Sequence, residues 1–346
     1  MTIQDKLKAK KILFLSVQTF NYEKEIAQQL QQLGAIVDYF DERPANSILA
    51  KGIIRLKRSL LQTKINSYYS KILSTIENKQ YDYLFVIKGE VVPAFFLESF
   101  KSTNPNCHCI FYTWDSFENN VNARSILKYF DDCFTFDAND AVKYNLNFRP
   151  LFYIEKYGNL SNQKNIRNDF DLLFIGTAHS DRYIISNTIV NWCETNALHS
   201  FAYYFMQSRI VFAFKKFFDS TFKKIEYNKL SFESLSADNI IDLYKRSSVV
   251  LDINHPKQSG LTMRTFEALG AGKKLITTNK EIEKYSFYNE SNICIIDRLL
   301  PILKKDFFET AFVPFEKDLL YSMSINGWIS ELFLEKQNNY WIDSLQ

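Results

Sequence analysis

The residues at the start of one predicted helix are suited to binding a diphosphate. The stretch 259–279 reads SGLTMRTFEALGAGKKLITTN, which predicts a loop ending in glycine, a helix, a glycine stop and a short strand. Because Gly260 has no side chain, a ligand could approach the backbone there. The N–H groups of Leu261 and Thr262 would face that ligand from the positive end of the helix dipole. Arg264, in the first turn, could add a bidentate contact to the same phosphates.

A carboxylate follows one turn later in the same helix. Glu267 could accept hydrogen bonds from the two hydroxyls of a ribose. The alternative interpretation is a capped helix in which Arg264 and Glu267 are ordinary surface residues. The nearly continuous apolar run at 248–253 comes just before this loop and predicts a parallel strand that is buried on both faces. Together these segments predict a βαβ unit.

This segment resembles the donor-binding element of GT-B glycosyltransferases, whose pattern is E-G-x-G-L-x-x-x-E-A-x-x-x-G-x-P-V-I. The matching residues are Gly260, Leu261, Glu267, Ala268, Gly272, Leu275 and Ile276. Glu267 falls on the glutamate that binds ribose in the family, whereas Ser259 replaces the first glutamate, which faces the donor sugar in retaining members. The sequence of residues 252–279 is similar to that of the CgeB-like branch of these enzymes, which includes enzymes of capsule and lipopolysaccharide synthesis.

The resemblance implies two doubly wound α/β domains that face each other across a cleft. An acceptor-binding domain would span 1–152, a linker 153–168 and a nucleotide-sugar-binding domain 169–315. A helix within 316–346 would then cross back to the first domain. The β-α-β start at 11–40 favours the same parallel, doubly wound architecture.

The implied activity is transfer of a sugar from a nucleotide-sugar donor to a hydroxyl of a glycan or lipid-linked acceptor. The implied role is synthesis of a bacterial surface polysaccharide, without a metal or another cofactor. Two alternatives are a sugar-nucleotide epimerase of the same architecture and a non-catalytic protein that binds nucleotide sugars or glycans.

Further donor-binding candidates follow the predicted strand 171–175. In GT-B enzymes the matching loop lies under the phosphates or sugar of the donor, and the residues found there are Gly176, Thr177, His179 and Arg182. A lone histidine near a turn is more often structural, which is the favoured interpretation of His179. His255, just before the donor loop, could bind a phosphate or base, or could only shape the loop.

Carboxylates follow three predicted strands of the first domain, where ligands of such sheets bind. Glu90, Asp115 and Asp137 could each act as the general base that removes a proton from the acceptor hydroxyl. Asp115 is preferred because Trp114, an aromatic residue of the kind that stacks on sugars, is adjacent. The alternative is that these residues cap helices, and for Asp137 capping is the favoured interpretation.

Two basic stretches are candidates for contact with an anionic membrane. Between 43 and 76 there are seven Lys or Arg and no acid, and the alternative is a solvated helix face. The stretch 203–229 is aromatic and basic. Its apolar positions recur at spacings of three and four, which predicts that most of them belong to a packed helix face: Val211, Phe212, Phe214, Phe217, Phe218 and Phe222. Contact with a membrane surface is the alternative there.

Composition narrows the class of protein. A chain of 346 residues with 46% apolar residues is long enough for two globular domains, and a net charge of +3 does not by itself indicate nucleic-acid binding. The five cysteines lack a CxxC pair, which favours reduced thiols. The polar start and the lack of a long apolar run predict a cytoplasmic protein, with peripheral contact at the inner membrane face as an option.

Overall fold

The computed structural model describes residues 1–47, 52, 54, 58–118, 120–161, 168–178, 181–256, 258–334 and 341. The chain divides into two compact units. The first consists of Met1–Leu151 together with the residues from Ile325 onward, and the second is Phe152–Ser324.

The first unit contains a six-stranded, wholly parallel sheet in the order β2-β1-β3-β4-β5-β6. Its strands are β1 (Lys11–Ser16), β2 (Ile36–Asp41), β3 (Tyr83–Ile87), β4 (His108–Thr113), β5 (Asp132–Thr135) and β6 (Asn147–Phe148). Its helices are α1 (Ile3–Leu7), α2 (Tyr22–Gln32), α3 (Gln62–Ile76), α4 (Ala94–Thr103), α5 (Val121–Ile126), α6 (Ala138–Tyr144) and the unnumbered helix Ile325–Phe333, with 3₁₀ turns at Arg58–Leu61 and Leu127–Tyr129.

Aromatic packing covers one face of this sheet. Phe14 of β1 stacks on Phe85 of β3 with ring centroids 5.2 Å apart, and Phe85 lies 5.9 Å from Trp328. Trp328 belongs to the helix Ile325–Phe333 and is completely buried. Because all five residues of β3 are buried, the strand reads as a continuous apolar run, as expected in the middle of a parallel sheet.

The second unit contains another parallel sheet in the order β12-β11-β10-β7-β8-β9. Its strands are β7 (Phe170–Thr177), β8 (Ser200–Phe205), β9 (Leu230–Ser231), β10 (Ser247–Asp252), β11 (Lys274–Thr277) and β12 (Ile293–Ile295). Its helices are α7 (Glu155–Ser161), α8 (Arg182–Thr195), α9 (Arg209–Phe218), α10 (Ser220–Lys223), α11 (Ala237–Lys245), α12 (Met263–Gly270), α13 (Asp306–Glu309) and α14 (Lys317–Met323), with 3₁₀ turns at Tyr227–Lys229 and Lys280–Lys284.

Each sheet has one point where the strand order reverses direction. In the first sheet it lies between β1 and β3, and in the second between β7 and β10. Ligands of open parallel sheets bind beyond the carboxyl ends of the strands at such a point. The predicted class, two doubly wound parallel α/β sheets, is therefore confirmed, and it identifies the two places where a site is expected.

Part of the predicted linker 153–168 is helical. In α7, Tyr157 and Leu160 are buried, and the preceding Tyr153 is buried as well. The Tyr153 ring lies against Gly270 so closely that a Cβ there would be only 2.4 Å from the ring. The spacing 153, 157, 160 is helical, but the surrounding glycine and asparagines conceal it.

The predicted helix between 316 and 334 is interrupted. α14 ends before Ser324, which has an extended backbone and forms a bridge with Tyr153. The N–H of Tyr153 donates to the Met323 carbonyl at 2.9 Å, and its hydroxyl donates to the Leu320 carbonyl at 2.9 Å. These bonds use carbonyls at the end of α14, so a second helix starts at Ile325.

The structure changes the interpretation of Arg43 in the first basic stretch and of three phenylalanines in the second. Arg43 is 5% exposed and bound inside the first unit, so it is not part of a membrane-facing surface. Lys51, Arg55 and Lys57 lie outside the described residues. In the second stretch, the prediction that most apolar side chains pack is wrong for three of the six: Phe214, Phe217 and Phe218 are exposed. Within the described ranges, no helix is both long and apolar enough to cross a bilayer.

Candidate functional site

One arginine joins the two strands that flank the reversal point of the second sheet. Arg182 is the first residue of α8. Its Nε donates to the carbonyl of Ile253, just after β10, at 2.8 Å. Its Nη1 donates to Oγ1 of Thr177, the last residue of β7, at 3.4 Å. The guanidinium is therefore held at the carboxyl ends of both strands, where a ligand is expected.

Asp252, at the end of β10, organises the first turn of α12. It is 1% exposed, and its Oδ2 accepts from Thr262 Oγ1 at 2.6 Å and from Thr265 Oγ1 at 3.2 Å. Thr262 is also the N-cap residue of the helix, because its Oγ1 accepts from the N–H of Thr265 at 3.4 Å. Nη1 of Arg264 lies 3.7 Å from Asp252 Oδ1. The buried carboxylate thus fixes both the helix start and the arginine beside it.

The start of α12 keeps main-chain donors available for an anion. Within the described residues, no backbone carbonyl accepts from the N–H groups of Leu261, Thr262 or Met263. The carbonyl of Gly260 accepts from Gln258 Nε2 at 3.0 Å, which orients this loop. These N–H groups lie at the positive end of the helix dipole, as predicted from the sequence.

Arg298 is a third guanidinium in the same region, and sequence reasoning missed it. Its Nε and Nη2 each lie 3.0 Å from a carboxylate oxygen of Asp181, and its Nη1 donates to Asn254 Oδ1 at 2.9 Å and to Thr278 Oγ1 at 3.0 Å. The residue follows the edge strand β12 in a polar loop without periodicity. No sequence signal distinguishes it, because its partners come from distant parts of the chain.

The three guanidinium groups interact electrostatically. Burial, and then the positive charges of Arg264 and Arg298, lower the pKa of Arg182. Arg264 and Arg298 lie beside the carboxylates of Asp252 and Asp181, whereas the two oxygens that accept from Arg182 among the described residues are uncharged. An anion bound at Arg182 would relieve both the burial of this cation and the repulsion from its neighbours. The arrangement therefore favours binding of a negatively charged group.

Glu267 is held by tyrosine. It is 8% exposed, and its Oε2 accepts from the hydroxyl of Tyr244 at 3.1 Å. Burial and the negative charge of Glu267 raise the pKa of both Tyr244 and Tyr157, so both phenols stay protonated. The ring of Tyr157, on α7, packs against that of Tyr244 with centroids 4.9 Å apart. The carboxylate thus has a fixed position one turn from the helix start, and its contact with a ribose stays a prediction.

The other donor candidates are only partly brought together. Gly176 and Thr177 end β7 and are half-buried, and Thr177 contacts Arg182 as described above. His179 lies outside the described residues. The side chain of His255 is exposed, so its contact with a phosphate or base stays a prediction.

In the first unit, Lys88 contacts two of the three general-base candidates, Asp115 and Glu90. It follows β3 with φ +83°, a left-handed conformation that is uncommon for a residue with a side chain. Its Nζ lies 3.3 Å from Asp115 Oδ2 and 3.4 Å from Glu90 Oε1. The lysine side chain is only 8% exposed, so this cation lies between the carboxylates rather than in solvent.

The two carboxylates differ in their partners. Glu90 also accepts from Arg43 Nε at 2.6 Å. Although burial raises the pKa of Glu90, Lys88 and Arg43 together lower it below its usual value. A carboxylate with a lowered pKa is a weak base, and the Asp115 side chain is also more exposed, 31% against 11% for Glu90. The geometry therefore favours Asp115 over Glu90, and both assignments stay predictions.

Glu42 is a buried carboxylate that the sequence analysis did not single out. It is completely buried, and it accepts from the N–H of Gly89 at 3.1 Å and from the N–H of Val91 at 2.5 Å. Burial raises the pKa of Glu42 to about 8. Its bonds hold the turn that carries Glu90. It comes directly after β2 (Ile36–Asp41), and a carboxylate that follows a strand of a parallel sheet is the signal that could have identified it.

Capping explains Asp137, as favoured from the sequence. Its carboxylate accepts from the N–H groups of Asn139 at 2.9 Å and of Asp140 at 3.3 Å, at the start of α6. The cap of α5 is Asn120, which accepts from the N–H of Ala123 at 3.4 Å, so Asp115 does not cap that helix.

Comparison with known proteins supports the fold. Neither a family model nor a curated protein sequence matches the chain. An alpha-glucosyltransferase solved with UDP and a 13-mer DNA matches with a TM-score of 0.54 and 13% identity, over 94% of this chain and 90% of that one. HepE from Anabaena, solved with UDP and glucose, matches with a TM-score of 0.51 and 12% identity, over 94% and 95%.

A third similar structure comes from a plant. The catalytic domain of starch synthase IV from Arabidopsis thaliana, bound to ADP and acarbose, matches with a TM-score of 0.51 and 6% identity, over 98% of this chain and 97% of that one. At these identities the similarity shows the fold alone. The chain therefore has the GT-B fold.

Proposed function

We propose that this protein is a glycosyltransferase that moves a sugar from a nucleotide-sugar donor to a hydroxyl of a glycan or lipid-linked acceptor. The observation that carries the proposal is Arg182, which joins the ends of β7 and β10 through acceptors that, within the described ranges, are uncharged. It stands at the reversal point of the second sheet, where nucleotides bind in open parallel sheets. The three similar structures that carry this fold were solved with UDP or ADP.

The second unit would bind the donor. The diphosphate would contact Arg182, Arg264 and the N–H groups at the start of α12, and Glu267 would accept from the ribose hydroxyls. As the bond between sugar and phosphate breaks, negative charge grows on the leaving diphosphate. Positioned cations and N–H groups stabilise that charge more than they stabilise the bound donor, which lowers the barrier to transfer.

The first unit would supply the general base. Asp115 would accept the proton of the acceptor hydroxyl, and Lys88 would orient it through the contact at 3.3 Å. We propose a metal-independent reaction. The guanidinium groups of Arg182 and Arg264 would occupy the place at which a metal would otherwise neutralise the diphosphate. A place in capsule or lipopolysaccharide synthesis, within the CgeB-like branch, is the finer proposal and is supported by the form of 252–279.

The donor site is tested by ligand-induced thermal stabilisation. UDP-, GDP-, dTDP- and CMP-sugars are added singly, and the base that stabilises the protein identifies the donor class. Arg182→Ala is expected to weaken binding of that donor by about 100-fold, the scale of a lost charge-assisted contact. Arg246→Ala is the matched control, because Arg246 is a surface arginine of the same unit that pairs with Asp169 and Asp242.

Three results would contradict the proposal. Equal loss of affinity in Arg182→Ala and Arg246→Ala would mean that the Arg182 site does not bind the donor. Conversion of the donor sugar in the absence of any acceptor would show epimerisation. Donor binding without release of nucleotide in the presence of any acceptor tried would leave a binding protein.

A further inference from the structure

The second unit exposes a cluster of aromatic side chains on α9. Ile210, Phe214, Phe217 and Phe218 are 82%, 65%, 78% and 69% exposed, and we call these four residues the aromatic patch. They occur at i, i+4, i+7 and i+8, which places them on one face of the helix. The Phe218 ring centroid is 4.6 Å from that of Phe214 and 5.0 Å from that of Phe217. The three rings thus form one continuous apolar surface.

The opposite face of α9 is anchored to the unit. Phe212 is 4% exposed and packs near Phe222, with centroids 6.3 Å apart, and near Tyr227, at 5.8 Å. Ser208 caps the helix by accepting from the N–H of Val211 at 3.1 Å. The patch is therefore presented on an ordered helix rather than on a frayed segment. A contiguous apolar patch on an ordered surface typically marks an interaction site.

Basic residues are frequent in the sequence around the patch. Between Arg209 and Lys224 there are five basic residues and one acid: Arg209, Lys215, Lys216, Lys223 and Lys224 against Asp219. Lys215 Nζ lies 5.0 Å from the Phe222 ring and Lys216 Nζ lies 5.5 Å from the Phe212 ring, so both cations are on the helix flanks beside the packed rings. The local charge is complementary to an anionic surface, which distinguishes this helix from a neutral apolar contact.

We propose that α9 docks on a membrane that contains anionic lipid. The phenylalanine rings of the aromatic patch enter the boundary between head groups and acyl chains, while the flanking lysines and Arg209 contact lipid phosphates. An amphipathic helix with aromatic residues on one face and basic residues around it binds a lipid interface in this way. The proposal goes beyond sugar transfer, since it concerns where the enzyme works and not what it transfers.

The test is flotation with lipid vesicles in the absence of nucleotide sugar, so its result is independent of donor use. The whole protein is expected to float with vesicles of phosphatidylglycerol and phosphatidylcholine, much less with phosphatidylcholine alone, and less as salt screens the lysines. The variant F214S/F217S/F218S is expected to bind the anionic vesicles at least about tenfold more weakly, because it removes the inserted apolar surface.

The chain offers a matched control in the same unit. Leu299, Leu300 and Ile302 are 95%, 68% and 67% exposed but do not lie on α9. The variant L299S/L300S/I302S removes a similar apolar surface and is expected to float like the unaltered protein. All six positions are exposed, and an unchanged circular dichroism spectrum and thermal midpoint would verify that each variant folds.

A spectroscopic measurement reports insertion directly. Phe217→Trp is expected to be quenched by vesicles whose acyl chains carry bromine, and Ile302→Trp is not, after subtraction of the signal of the four native tryptophans. Absence of flotation of the unaltered protein with anionic vesicles would overturn the proposal. Equal flotation of both triple variants would do so as well. A dimer that F214S/F217S/F218S dissociates, without vesicle binding, would instead assign the patch to a second copy of the chain.

Discussion

The two sheets have the same number of strands and the same kind of reversal point, yet the charges placed there differ. In the second unit, the oxygens that accept from Arg182 among the described residues are uncharged. In the first unit, Lys88 lies between Glu90 and Asp115, and Arg43 also binds Glu90. The second site also contains paired charges, at Arg264 and Arg298, but Arg182 adds a cation that favours binding of an anion, whereas Lys88 and Arg43 of the first site both pair with carboxylates. Under the proposed function, the same backbone architecture carries an anion-binding site in one unit and the general base in the other, and the side chains that follow the strands decide which.

The largest expected effect tests the proton-transfer half of this comparison. Asp115→Asn keeps the shape but removes the base, so kcat is expected to fall by about 100-fold or more, the usual range for general-base catalysis. Donor affinity, measured by calorimetry, is expected to stay unchanged. Glu90→Gln is the comparison variant, with a smaller loss in kcat. If Asp115→Asn retains full turnover, Asp115 is not the base.

The next effect tests the anion-binding half. Arg264→Ala removes a cation beside the start of α12, and kcat/KM is expected to fall by about 100-fold. Steady-state kinetics with the donor varied would measure it, and Arg246→Ala again serves as the surface control. A loss seen equally in both variants would mean that Arg264 acts only through general charge.

A third prediction concerns Glu42, the buried carboxyl of the first unit, and depends on pH. Because the pKa of Glu42 is raised from 4.5 to about 8, the folded protein binds a proton that the unfolded chain releases between those values. This carboxyl therefore makes the protein lose stability as pH rises from 5 to 8, by an expected ~3 kcal/mol. Glu42→Gln is expected to reduce that loss in urea unfolding at the two pH values.

The control for this pH effect is the exposed Glu77→Gln. It should leave the pH dependence of unfolding as it is in the unaltered protein. An identical pH dependence in Glu42→Gln would show that Glu42 ionises in the folded protein much as it does in the unfolded chain.

The smallest expected effect separates charge from position at the donor site. Glu267→Gln keeps an oxygen that can accept from Tyr244 or from a ribose hydroxyl, so donor affinity is expected to fall by only about tenfold. Glu267→Ala removes both acceptors and is expected to lose more. Calorimetric titration with the donor distinguishes them, and equal affinities in all three proteins would exclude Glu267 from the nucleotide contact.

Local pattern explains what could be predicted from the sequence. The buried run at 248–253 and the glycine stops define strands and helices through burial and backbone geometry, which depend on near neighbours. Helix α12 and the cap at Asp137 could be predicted for the same reason, because both depend on residues close in sequence. Arg298 and the exposed face of α9 could not be predicted, because each depends on which distant element packs beside it. The helix α7 was missed because Gly158 and Asn159 outweigh its apolar spacing.

The guanidinium group of Arg182, which joins β7 and β10, also affects the stability of the protein. In the part of the chain that the structure describes, no carboxylate accepts a hydrogen bond from this half-buried cation. It is therefore kept at the expense of folding free energy, since an apolar residue of similar length would suit the same surroundings better. Arg182→Met is therefore expected to raise the melting temperature while it removes stabilisation by the donor. A higher melting temperature and donor binding therefore favour different residues at position 182. Selection for thermal stability alone would tend to produce a variant that no longer binds the donor.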